Sequence, residues 1–308
     1  MSQASGRTLL PTLRQLQFLA ALRAEASFSR AAQAVGVTQP TLSAGIKELE
    51  GLLGAILVER GRAGAVLTSA GQDAAERATR AINEVEELVH AVQGGGAPLI
   101  GDFRLGAIPT IAPYLLPRLV PALRRAYPSL RLFLREDLTA RLIEGLRART
   151  LDAALIALPY AAHGVDSIAL FDDEFLLAIA PDHKLARSKN LQQEDLAGEE
   201  ILLLEDGHCL REHALAMCAR AHNRQGAEVG ATSLTTLAHM VAGGIGVTLL
   251  PRLALENGAA AGAELVTRHF QKPMIGRSIG LAWRAKSPRQ KEALLIADLV
   301  KRLANRAG

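Results

Sequence analysis

Cys209 and Cys218 are the only two cysteines of the chain, and nine positions separate them within Glu205-Asp206-Gly207-His208-Cys209-Leu210-Arg211-Glu212-His213-Ala214-Leu215-Ala216-Met217-Cys218. His208 and Arg211 flank the first thiol, and nearby positive charge favours thiolate, the form that attacks oxidants. An isolated cysteine titrates near ~8.5, so modest stabilisation of the anion makes it reactive close to neutral pH. The plainer alternative is two inert thiols in a core, because cysteine often packs as a small apolar side chain. The charged neighbours favour a thiol sensor. Cys209, Cys218, His208 and His213 are also zinc-ligand types, but they lack the closely spaced cysteine pair of the usual structural sites. No metal or cofactor is therefore expected.

The remaining sequence must supply the elements that hold such a thiol. With 308 residues, 49% of them apolar, the chain has the length for two or three domains and a core that needs no disulfide staple. No apolar run approaches the ~20 residues of a membrane helix, and the first residues lack the continuous apolar stretch of a signal peptide. A cytoplasmic location is expected, where a disulfide is more often regulatory or catalytic than structural. The formal net charge of +4 permits nucleic-acid binding without demonstrating it.

Leu13, Leu16, Leu19 and Leu22 recur at helical spacing and predict a first amphipathic helix ending near Glu25. A second helix follows, with Ser29 as its cap, Ala31, Ala32 and Ala34 for close packing, and Gly36 for the turn. Thr38 is the expected cap of a third helix, with Pro40 in its first turn, where a missing N–H costs nothing. Leu42, Ile46 and Leu49 form its buried face, while Gln39, Thr41, Ser43 and Lys47 are small or polar groups able to enter a groove. Gln39 suits a bidentate contact with adenine, and Lys47 suits phosphate or guanine. The pattern predicts a helix-turn-helix, against the alternative of three packed helices without DNA binding. Residues 58–68 resemble a hairpin wing, with Arg60 and Arg62 near phosphates or a minor groove. The other possibility for that pair is a solvated basic turn.

A helix over residues 68–93, capped by Thr68 or Ser69, carries an apolar stripe of Ile82, Val85, Leu88, Val89 and Val92 amid Glu84, Glu86 and Glu87. It has too little protein of its own to cover that stripe, so pairing with a second copy is expected. Gly94-Gly95-Gly96-Ala97-Pro98 reads as a linker. Beyond it, strands are predicted at residues 103–107, 130–135, 153–157, 175–180, 201–204, 247–250 and 278–282, with helices between most of them as parallel sheets require. Thr110 has the position of a helix cap, as do Thr232 and Ser233.

Ser29-Arg30-Ala31-Ala32 through Gln39-Pro40-Thr41-Leu42-Ser43, then Ile46-Lys47-Glu48-Leu49-Glu50 and Leu67-Thr68-Ser69-Ala70-Gly71, closely resemble the LysR-type transcriptional regulators. The run from Glu205 to Arg211 followed by Cys218 is similar to the peroxide-sensing members of that family. Ile108-Pro109-Thr110 before Pro113-Tyr114-Leu115-Leu116-Pro117, Ala231-Thr232-Ser233-Leu234 and Arg277-Ser278-Ile279-Gly280-Leu281 match the same pattern. The resemblance implies an all-α winged helix-turn-helix over residues 1–67 and a dimerising linker helix and hinge over 68–96. It further implies an α/β redox-sensing regulatory domain over 97–308, built of two periplasmic-binding-protein-like subdomains, 97–171 with 275–308 and 172–274. The chain would cross between them near Phe171 and near residues 273–276.

By the same resemblance Cys209 is the peroxidatic thiol, Cys218 the resolving one, and Thr110, Thr139, His208 and Arg277 surround hydrogen peroxide. Thiolate attack on the O–O bond calls for fixed positive charge, hydroxyl donors and a proton for the departing hydroxide, which those residue types supply. The implied partners are a double-stranded operator bound through Gln39, Pro40, Thr41, Ser43, Lys47, Arg60 and Arg62, RNA polymerase, and further copies forming a homodimer and a homotetramer. Glu212 stands where the peroxide-sensing pattern has aspartate. Ala44-Gly45 weakens the third helix, since glycine within a helix costs about 1 kcal/mol relative to alanine.

Residues 211–220 are rich in helix formers, and nine helical residues span about 13 Å, whereas a disulfide needs Cα atoms roughly 4.4–6.8 Å apart. The bridge would therefore require local unwinding. Two competing functions remain: a LysR-type regulator that senses a metabolite in the cleft between subdomains, and a thiol peroxidase, for which the amino-terminal module has no use. The extension up to about Leu10 is expected to stay disordered.

Overall fold

The computed structural model describes residues 10–61, 64–93, 98–188, 191–212 and 230–304. The extension before Leu10, the Gly94–Ala97 part of the linker, Arg62 and Cys218 lie outside the described residues. The chain divides into two units, Met1–Gly94 and Gly95–Gly308.

In the first unit, helices α1 (Leu13–Glu25), α2 (Phe28–Ala34) and α3 (Gln39–Leu53) pack around Leu19, Leu22, Ala31, Ala32, Leu42, Ile46 and Leu49. Phe18 joins this core although the leucine spacing does not reveal it, while Leu13 is exposed. The cap of α2 is Ser27 rather than Ser29, its Oγ accepting from Arg30 N–H at 3.5 Å. Phe28 packs against the core and brings the helix start forward, leaving Ser29 inside the first turn. Thr38 caps α3 as expected, accepting from Thr41 N–H at 3.4 Å. The presence of Gly45 has a packing reason: a Cβ there would lie 2.6 Å from the Phe18 ring, so the close approach of α1 and α3 outweighs the propensity cost.

Strands β1 (Val58–Gly61) and β2 (Gly64–Leu67) form the antiparallel wing, with Arg60 opposite Ala65. Helix α4 (Ser69–Gln93) follows, Thr68 Oγ1 accepting from Gly71 N–H at 2.9 Å. Its first half buries Ala75 and Ala78. Its second half leaves the apolar stripe uncovered, with Leu88 62% and Val92 79% exposed.

The second unit is built on one mixed sheet. Strands β3 (Gly101–Ala107), β4 (Leu130–Glu136) and β5 (Ala153–Leu158) run parallel and are connected by helices α5 (Ala112–Ala126) and α6 (Thr139–Arg147). The expectation of parallel pairing fails for the rest of this sheet. Strand β6 (Val165–Ile179) is antiparallel to β11 (Gly276–Arg284), which also lies antiparallel to β5. The far half of β6 pairs antiparallel with β9 (Thr248–Pro251) and β10 (Val266–Arg268). A single strand thus runs from one half of the unit into the other, bulging at Leu170 where Ile279 faces Phe171 and Gly280 faces Ala169.

Two cores lie along this strand. Phe103, Leu105, Leu115, Leu155, Ile279, Leu281 and Ile296 belong to the first, which helix α9 (Gln290–Ala304) covers. Phe175, Leu177, Ile179, Leu237, Val247 and Leu249 belong to the second, with helices α7 (Leu234–Ala242) and α8 (Arg252–Glu256). In the second half the strand expected at residues 201–204 shrinks to β7 (Leu203–Leu204), parallel to β8 (Gly230–Ala231), and Ile201 makes only a single bridge to Val247.

Candidate functional site

Thr110 and Thr139 lie just beyond the ends of neighbouring parallel strands, Thr110 in the turn before α5 and Thr139 at the first position of α6. The strands are β3 and β4, whose last residues, Ala107 and Glu136, lie opposite one another. The carboxyl ends of parallel strands are where open α/β sheets bind ligands, because backbone and helix starts converge there. Thr110 does not cap α5: the residue before that helix is Ile111, and there is no side-chain cap. Its hydroxyl instead accepts from Arg277 Nη1 at 2.6 Å, and its carbonyl from Arg277 Nη2 at 3.0 Å. Thr139 is buried at the start of α6, and its Oγ1 has no hydrogen-bond partner. A buried hydroxyl without a partner is a place for a ligand atom or a water.

Arg277 reaches Thr110 from β11, where it stands opposite Asp173 of β6. Its Nε donates to Asp173 Oδ2 at 3.0 Å, and the two side chains are 0% and 1% exposed. Asp173 Oδ1 accepts from Leu253 N–H at 2.9 Å. Burial raises the Asp173 carboxyl above its ordinary value, and Arg277 opposes that rise. The ring of Phe175 lies 5.9 Å from the guanidinium carbon.

The thiol sits beside the same guanidinium. Cys209 is half-buried at the start of a helical turn, and burial pushes the thiol up while the Arg277 charge and an Arg277 hydrogen bond pull it down. Two cations were candidates, Arg211 beside the thiol and Arg277, and the structure puts Arg277 at the sulfur and turns Arg211 away. Arg211 pairs with Asp206 at 2.8 Å and donates to Leu204 carbonyl at 3.1 Å, bracing the loop before the thiol. His208 has its pKa lowered by burial, against Glu205, so it is a neutral neighbour at neutral pH rather than a charge. Gly207, at φ +90°, brings this loop down on Leu138, where a Cβ would meet the side chain at 2.9 Å. That contact places the loop beside the start of α6 and Thr139.

Cys209 packs against the first core, whereas Leu210, the next residue, is buried in the second. The chain at the thiol therefore fastens the two halves together. Of the two expected caps of α7, Ser233 caps it, accepting from Thr236 N–H at 3.1 Å, and Thr232 is exposed. Asp173 is the member of the site that sequence reasoning missed. The signal was a carboxylate inside a strand, followed by the apolar run from Phe175, since a charge in that setting needs a partner. Asp173 also lines a cavity of about 230 Å³ with Leu115, Arg118, Phe171, Arg252 and Leu253. Among the described residues no group of three or more His, Cys, Asp or Glu could hold a metal ion.

In the first unit, Gln39, Pro40, Thr41 and Lys47 are exposed on one end and face of α3, with Ser43 half-buried among them. The Thr41 hydroxyl lies 2.8 Å from that of Thr38.

Residues 13–72 match the family model for bacterial regulatory helix-turn-helix proteins of the lysR family, and residues 96–305 match that for the LysR substrate binding domain. The chain belongs to the LysR family of regulators. Within it, the chain is 38% identical over 289 residues to the DNA-binding transcriptional dual regulator OxyR of Escherichia coli K12, covering 94% of each. It superposes on a full-length OxyR variant from Pseudomonas aeruginosa with a TM-score of 0.78 at 34% identity, covering 95% of each chain. A peroxide-bound OxyR variant from Corynebacterium glutamicum gives a TM-score of 0.68 at 32% identity, over 98% of this chain and 95% of that one.

Proposed function

We propose that this protein is a peroxide-sensing, DNA-binding transcriptional regulator whose switch is the Cys209 thiol. The observation that carries this function is the buried Arg277 guanidinium, which bonds Thr110 and the Cys209 sulfur at once. It supplies fixed positive charge where an anionic sulfur attacks. In the first step the Cys209 thiolate displaces hydroxide from hydrogen peroxide, giving a sulfenic acid, and the hydroxide takes up a proton. The Cys218 thiol then attacks that sulfur, forming a disulfide and releasing water. Thr110 and Thr139 hold the peroxide, the latter through its unpartnered hydroxyl, and His208 lines the site as a neutral group. Cell reductants restore the thiols, so the chemistry is a signal rather than a turnover.

DNA is met by the exposed end of α3 through Gln39, Pro40, Thr41, Ser43 and Lys47, with Arg60 and Arg62 of the wing on the backbone. Residues 1–67 form the DNA-binding part, 68–96 the dimerising helix and hinge, and 97–308 the sensor. The family's architecture supports a dimer through α4, a dimer of dimers, and contact with RNA polymerase in the cytoplasm. The cavity beside Asp173 favours one second function, a regulator that answers a small metabolite between the two halves.

Footprinting across the genome before and after a brief peroxide pulse separates the two. Occupancy should change in cells carrying the natural chain and stay fixed in Cys209→Ser. An identical footprint before and after peroxide in the natural chain sinks the peroxide function.

A further inference from the structure

The Arg277 guanidinium is shared between two sets of partners. Its Nη1 meets Thr110 and the guanidinium bonds the Cys209 sulfur, while Nε meets Asp173 Oδ2 at 3.0 Å. Neither Arg277 nor Asp173 reaches solvent, so water does not screen them from each other or from the sulfur. A cation and a carboxylate in dry contact present a dipole to a third group, and a dipole attracts an anion less than a bare unit charge does. Asp173 is itself fixed from two directions, by Arg277 and by Leu253 N–H, which leaves the guanidinium little freedom to swing.

We propose that Asp173 is a positioning residue for the Cys209 reaction, aiming Arg277 at Thr110 and the sulfur while weakening the pull of its charge on that sulfur. The inference rests on the peroxide-sensing function above and deepens it. The surrounding charges leave this role to Asp173. Among the described residues, the charges acting on the sulfur are Arg277 of β11 and Glu212 of its own helical turn, the latter opposing ionisation, with a neutral His208 preceding it. Around Asp173 stand Arg277 and, from α8, Arg252 and Glu256. Arg252 is paired with Glu256 at 2.6 Å and does not replace Arg277 as counter-ion. The neighbouring Asp172 is exposed to water, which screens it.

The test uses the full-length reduced protein carrying Cys218→Ser, in which Cys209 is the only thiol. Alkylation by iodoacetamide is followed by mass spectrometry from about pH 5 to about pH 10, a range that brackets the ordinary thiol titration. Asp173→Asn removes the charge and keeps an oxygen for the Nε–H of Arg277. Its midpoint should fall by about one unit, the lower end of what one charge in contact does. Reactivity at neutral pH should rise about threefold rather than tenfold, because nucleophilicity drops as pKa drops.

Asp173→Ser serves the same purpose should the amide clash with Leu253 N–H, and Asp173→Glu, which keeps the charge, should titrate as the parent does. An unchanged or higher midpoint in a charge-removing variant with native circular dichroism overturns the proposal. Loss of folding in both charge-removing variants also overturns it, assigning Asp173 to the fold alone. Peroxide plays no part in this titration. A protein that shows the shift yet forms no sulfenic acid with peroxide keeps the Asp173 assignment and loses the peroxide one.

Discussion

Arg277 and Cys209 meet although 68 positions separate them, and the pair decides how the sensor answers pH. Burial holds the thiol above its ordinary value, so at neutral pH the reactive thiolate is a small fraction, and that fraction grows as pH rises. The rate of peroxide oxidation should therefore climb about tenfold per pH unit through neutrality. A rate independent of pH between about 6 and 8, below the ordinary thiol value, would show the sulfur already ionised. Substitution separates the two thiols. Cys209→Ser should abolish the response, while Cys218→Ser should accumulate a sulfenic acid on Cys209, read by trapping with a dimedone probe. Sulfenate found on Cys218 instead would exchange the roles. Residue types and the family pattern single out Thr110, Arg277 and the two thiols in the sequence; the structure brings Thr110, Arg277 and Cys209 together, and Cys218 lies outside the described residues. The sequence offers both Arg211 and Arg277 as cations, and only the fold separates them: Arg211 is turned to Asp206, while Arg277 arrives from a strand that folding brings near.

Elements with strong local signals were read well from sequence and those fixed by distant partners were not. The caps at Thr38 and Thr68 and the buried face of α3 follow from nearest-neighbour chemistry. The first half of β6 was missed. Val165-Asp166-Ser167-Ile168 and Asp172-Asp173-Glu174 are too polar for a core strand, and they extend because β11 pairs with them. Gly45 gives the opposite lesson: an apparent weakness in α3 is the space in which the Phe18 ring lies. Gly45→Ala should thus destabilise the first unit by about 1–3 kcal/mol of overpacking, despite a propensity gain of about 1 kcal/mol. Chemical denaturation of full-length protein, followed by operator binding, measures the effect. A stabilised variant would mean that the ring moves aside at no cost.

Across the whole molecule, oxidation must be converted into a change that DNA feels, and the chain at the thiol offers the means. Cys209 rests on one core and Leu210 on the other, so a disulfide to Cys218, if the proposed chemistry holds, would loosen a fastening between the halves. Hydrogen exchange over residues 207–225 should lose protection on oxidation, and equal protection with the disulfide confirmed by mass spectrometry would rule out refolding. The stripe on α4 is the surface proposed above for pairing with a second copy. Leu88→Asp should weaken dimerisation at least about a hundredfold, since each such side chain contributes about 1.5–3 kcal/mol when buried and a dimer buries two. Sedimentation checks this, and an unchanged dimer would place the interface elsewhere. The sheet order has a consequence for synthesis. β11 is the last strand made, yet it lies between β5 and β6. Until residue 284 has left the ribosome, those two strands stand apart with an unfilled slot of unpaired backbone between them. The nascent chain carries this open sheet through more than 100 residues of further translation, from the end of β6 at Ile179 to Arg284, so chaperone demand and aggregation of truncated chains should be concentrated in that interval.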